Sequence, residues 1–96
     1  EEKEMILVGI TINDGATITR NNTLNIKVAA INASQVNISE DGQKTDNWVM
    51  YQDIITYELK DTTNGTKTIS VWIRDAEGNE LNKVVTAQIE KIDSGT

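Results

Sequence analysis

Apolar residues along this chain recur at every second position, the spacing of a strand with one buried face. The clearest case is residues 65–79, GTKTISVWIRDAEGN, where Ile69, Val71 and Ile73 share one phase and Thr68, Ser70 and Arg74 the other. The stretch opens on Asn64-Gly65 and closes on Gly78-Asn79. Glycine at those points supplies the backbone freedom of a turn, so a long central strand running into a hairpin is predicted.

The other strands follow in chain order. Residues 5–12, MILVGITI, form a first strand whose phase is open. Either both faces are buried, or Ile6, Val8, Ile10 and Ile12 face inward with Gly9 marking a bulge or a strand switch. Asn13-Asp14-Gly15 is a turn, after which 16–18 resume edge pairing until Asn21-Asn22. Leu24, Ile26, Val28 and Ala30 alternate with polar or small residues, and Val36 and Ile38 mark a shorter strand within 33–39. Glu40-Asp41-Gly42 is a turn leading into a polar excursion over 43–47. Residues 48–51 return to the body, 54–59 carry Ile55, Tyr57 and Leu59 in one phase, and 81–92 carry Val85, Ala87 and Ile89. About seven strands with no helical periodicity predict an all-β fold, a sandwich ahead of a small open barrel.

Composition narrows the chemistry. At 96 residues the chain supports one core, and with 38% hydrophobic residues, 4% aromatics and no Phe that core rests on Val, Ile, Leu and Ala. A net charge of −6 argues against nucleic acid and against an anionic membrane surface. No run approaches the roughly 18 apolar residues of a membrane span. Without Cys there is no disulfide, zinc-thiolate site or thiol nucleophile, and without His no imidazole base. Glu40 and Asp41, the one adjacent carboxylate pair considered for acid–base work, point to opposite faces of a strand. The chain is therefore expected to be no enzyme and to need no cofactor. It also lacks Pro, so the guarding of strand edges is assigned to Lys27, Lys67, Lys83 and the net charge. The charged start, EEKE, marks 1–4 as a lead-in, 5–92 as one domain and 93–96 as a linker within a longer polypeptide.

Three sets of residues invite functional readings. Asp75, Glu77 and Asn79 place oxygen side chains at alternate positions, as a calcium loop does. The hairpin needs Asp75 and Asn79 only as turn formers, and calcium takes six to eight oxygens, so no metal is the leading expectation. Trp48 with Tyr51 forms either a sugar-stacking platform or a cap on the open edge of the sandwich. Alternation puts Trp72 on the outer face of its sheet, where it packs across strands or offers a contact surface. Asn21, Asn32, Asn37 and Asn64 each begin a glycosylation acceptor pattern, of a kind that arises by chance in an Asn- and Thr-rich chain.

The run Ile38-Ser39-Glu40-Asp41-Gly42, then Trp48-x-x-Tyr51, then 61–79 ending GTKTISVWIRDAEGN, resembles the bacterial immunoglobulin-like surface modules. In these an "S-x-DG…W-x-x-Y…DGTKTVYVRFRDAAGN" pattern recurs in tandem copies. Lys91-Ile92-Asp93-Ser94 is similar to the segment joining successive copies, and the resemblance spans about half the chain. Met50 stands where that pattern has Pro, and Trp72 where it has a small or polar residue. The resemblance implies an immunoglobulin-like, Greek-key β-sandwich of about seven antiparallel strands. It further implies a structural or spacer module of a secreted or cell-wall-attached bacterial protein, monomeric in isolation and flanked by modules of the same polypeptide. The alternative it allows is an adhesion module binding cell-wall or host glycan or protein through loops and the aromatics Trp48, Tyr51 and Trp72.

Overall fold

The computed structural model describes residues 4–92. The linkers expected at 1–4 and 93–96 lie, apart from Glu4, outside the described residues. The chain is all-β, with strands β1 (Ile6–Ile12), β2 (Ile18–Thr19), β3 (Thr23–Ile31), β4 (Gln35–Ser39), β5 (Val49–Met50), β6 (Ile54–Glu58), β7 (Gly65–Arg74) and β8 (Val85–Lys91). They form a three-stranded sheet, β1-β3-β6, and a five-stranded sheet, β2-β8-β7-β4-β5. Among the described residues no helix is long and apolar enough to cross a membrane.

One apolar cluster joins the sheets. Leu7, Ile12, Leu24, Ile26 and Val28 come from the smaller sheet, with Leu59 just beyond β6. Val36, Ile38, Ile69, Val71, Ile73 and Ile89 come from the larger. The phases read from β3, β4 and β7 hold because each strand keeps its β-branched or leucyl residues on the side that loses water. As expected for a central strand, β7 lies between β8 and β4.

Four expectations need correcting. In β1 the register slips between Leu7 and Gly9, so a bulge at Val8-Gly9 turns Leu7 and Ile12 inward while Ile6 is exposed and Val8 is 66% exposed. The irregularity does fall at Gly9, as one of the two readings had it, but the extra residue reverses the strand's phase partway along, so Ile6 and Val8 do not share the inward face of Ile12. Not every pair is antiparallel, because β2 runs parallel to β8. The last strand starts at Val85 rather than near Leu81, since the Leu81 N–H bonds the Ile73 carbonyl and the chain reaches β8 only after a further turn. Neither Lys27 nor Lys67 guards an edge, because β3 and β7 each have a strand on both sides, and Lys67 shares the inward phase of Ile69 and is 7% exposed. Its stem extends the core while its ammonium reaches Asp61 at 3.2 Å.

Register fixes where the chain comes in and goes out. β1 begins with Ile6 opposite Ile31, at the pole where the Lys83 ammonium donates to the Leu7 carbonyl near the start of β8. β8 ends with Lys91 opposite Gly65 and beside Thr19, at the other pole. The first and last long strands run in the same direction, so the chain arrives at one end of the molecule and departs from the opposite end.

Candidate functional site

The outer face of the five-stranded sheet carries the most unusual chemistry. In β7 the residues alternating with the core set are Thr68, Ser70, Trp72 and Arg74, and β4 sets Ser39 opposite Ser70, Asn37 opposite Trp72 and Gln35 opposite Arg74. A polar face of this kind ordinarily faces water, yet Asn37 is 0% exposed and Ser39 and Ser70 are buried. The cover is the loop over 40–48. The Asn37 amide donates to the Thr45 carbonyl at 2.6 Å, and its oxygen accepts from the Thr45 N–H at 3.1 Å and hydroxyl at 2.9 Å. One side chain thereby holds the loop against the sheet as a neighbouring strand would. Lys44 in this loop pairs with Glu80.

At the end of that loop the Arg74 guanidinium carbon lies 4.4 Å from the centre of the Trp48 ring. The Arg74 Nε–H donates to the Gln35 side-chain oxygen at 2.5 Å. Trp48 and Trp72 are both half-buried, and Trp72 lies two residues from Arg74 on the same face. Trp72 therefore sits where alternation placed it. Tyr51 does not join this surface, correcting its grouping with Trp48. Its hydroxyl donates to the Val28 carbonyl at 2.9 Å and its ring packs on the core. Trp48 lies over Arg74 while Tyr51, just past edge strand β5, reaches across to β3 of the other sheet, so the two form no single platform and Tyr51 alone closes the edge there.

The polar loops at the C-terminal pole enclose a cleft of about 230 Å³ floored by Ile38 and Tyr57 and rimmed by Glu40, Asp41, Lys60 and Asp61. Its acids are engaged as braces. Glu40 accepts from the Tyr57 hydroxyl at 2.6 Å and from the Lys60 and Asp61 N–H groups. Burial and then this bond raise the Tyr57 phenol well above its ordinary range. Asp41 accepts from Ser39 Oγ at 2.6 Å and the Gln43 N–H at 2.9 Å, which hold its carboxyl below the usual range.

In the hairpin the Asp75 carboxylate accepts from the N–H groups of Glu77 and Asn79 and from the Asn79 amide. These bonds, those from Asn79 foremost, lower its pKa. Gly78 completes the turn at φ 88°. Both Asp75 oxygens thus serve the turn, and Glu77 is exposed. Among the described residues no three His, Cys, Asp or Glu side chains gather as metal ligands.

Sequence reasoning did not single out Gln35 or Arg74, and it marked Asn37 only as one of four glycosylation acceptor patterns, which its 0% exposure does not fit. The signal for Arg74 lay in its phase, shared with Trp72. Neither that pattern nor its place between Val36 and Ile38 signals the bonds Asn37 makes to Thr45. Comparison of the chain with protein-family models, curated proteins and solved structures finds no match.

Proposed function

We propose that this domain is an immunoglobulin-like, Greek-key structural module, a non-catalytic spacer in a larger multi-domain protein of the bacterial cell surface or of the secreted set. The observation that carries the reading is the placement of the start of β1 and the end of β8 at opposite poles, the arrangement that lets modules follow head to tail and add length. The strand order supports the immunoglobulin-like part. Such domains pair strands A, B, E and D in one sheet and C, F and G in the other, with C′ and C″ added beside C in the variable type; D and C″ have no counterpart among the described strands. The rest of that order arises here when β1 and β2 are taken as a first strand divided between the sheets and β5 as C′. The residues that carry the resemblance to bacterial surface modules fall on β4, β7 and the hairpin that follows.

Two copies joined through residues 93–96 and 1–4 test the role by small-angle scattering. A spacer gives a particle with a maximum dimension about twice that of one copy, because a short linker between opposite poles sets the two bodies end to end even where a small interface lets them move relative to each other. A folded-back pair no longer than a single copy removes the reading.

A further inference from the structure

On the outer face of the larger sheet a cation is fixed in place with no anion paired to it among the described residues. The Arg74 guanidinium is set by the Trp48 ring on one side and by Gln35 at Nε. Its two terminal nitrogens donate to no group among the described residues. The acids next to it along the chain and across the hairpin are committed elsewhere: Asp75 to the N–H groups of its turn, and Glu80 to Lys44. This occurs in a chain where 15 acidic residues face 9 basic ones, so an unmatched arginine is the uncommon sign. A guanidinium whose plane is already set loses little freedom when it forks onto a carboxylate, the partner its geometry fits with two parallel hydrogen bonds.

The surroundings specify what carries that carboxylate. Trp72 lies two residues along on the same face and is half-buried, and Met50, opposite Gln35 on β5, is 73% exposed. An indole beside a fixed fork suits a rigid ring whose apolar C–H face lies on the aromatic while its acid group meets the cation. A flexible acidic side chain would use the fork and leave the indole idle. We propose that Arg74 and Trp72 form a binding site for an acidic sugar, a pyranose ring bearing a carboxylate, of which a hexuronic acid is the simplest. This goes beyond the spacer role and does not depend on it.

The test is an NMR titration of the intact chain with methyl β-D-glucuronide, methyl β-D-glucoside, acetate and an oligoglutamate peptide as parallel probes. The indole N–H signals of the chain's two tryptophans and the Arg74 side-chain signals report the site. The glucuronide is expected to shift the Trp72 and Arg74 signals saturably at millimolar concentration. The glucoside and acetate, each carrying half of the recognition, bind about tenfold more weakly. Arg74→Lys keeps the charge but loses the planar fork, and lowers glucuronide affinity by about tenfold in a protein whose amide spectrum is otherwise retained. Equal responses to glucuronide and acetate, equal responses to glucuronide and glucoside, or binding of the peptide alone would each overturn the proposal. So would absence of any shift. The comparison of probes on the unaltered chain decides the matter even if the variant fails to fold.

Discussion

Asn37 accomplishes with one amide what a strand does with its backbone. It gives a proton to the Thr45 carbonyl and takes protons from the Thr45 N–H and hydroxyl, with no exposure of its own. A buried polar group that loses its partner costs roughly 1–3 kcal/mol. Asn37→Ala is expected to cost about 2 kcal/mol in urea denaturation. It should also abolish hydrogen-exchange protection at the Thr45 amide, which separates release of the loop from general weakening. Asp61 shows the same economy at the surface. Its carboxylate accepts from the hydroxyl and N–H of Thr63 and pairs with Lys67, which bring its pKa from 3.8 to about 2. The folded value lies below the unfolded one, so the folded form binds this proton less tightly. The contribution is complete above about pH 3.8 and disappears as pH falls through about 2. A urea midpoint that declines over that interval, and declines less in Asp61→Asn, is the expected result. Asp41 and Asp75 titrate in the same sense, which is why the variant is needed to isolate Asp61.

At the scale of elements, phase decides what a substitution costs. Trp72 belongs to the outer set of β7, opposite Asn37, while its neighbours Val71 and Ile73 are in the core. Trp72→Thr is therefore expected to cost no more than about 1 kcal/mol, the scale of a cross-strand pair. Thermal or urea unfolding showing a loss of 3 kcal/mol or more would assign Trp72 to the core instead. The phases of β3, β4 and β7 were legible because their inward residues are aliphatic and strictly alternate. β1 was legible only in part: Gly9 marked the irregularity, but the run is apolar in both phases and gives no sign of which residues the bulge turns inward. Lys67 departs from expectation because its charge favours exposure while its place two residues before Ile69 points it inward. The outer-face cluster was half legible. Trp72 stood out by type, whereas nothing in the sequence separated Trp48 from Tyr51, which the fold sends to different partners. The folding back of 40–48 over Asn37 depends on hydrogen bonds between residues eight apart, for which the sequence offers no periodic signal.

At the scale of the whole molecule, the parallel pairing of β2 with β8 acquires a mechanical meaning. Ladder pairs Ile18↔Glu90 and Thr19↔Lys91, with the Glu90 and Ile92 N–H groups bonded to the Thr17 and Thr19 carbonyls, tie the first part of the chain to the last. Tension between the two ends runs along these strands rather than across them. The tie is therefore sheared, with its hydrogen bonds loaded together, where an antiparallel hairpin pulled from its open end would unzip one bond at a time. Pulling single molecules by their ends should show a distinct peak force for this domain. Thr19→Pro, which removes the N–H and restricts the backbone of a β2 residue, should lower that peak more than a proline placed on the far edge strand β6. A tether that bears load would thus owe its strength to a two-residue strand at the molecule's edge.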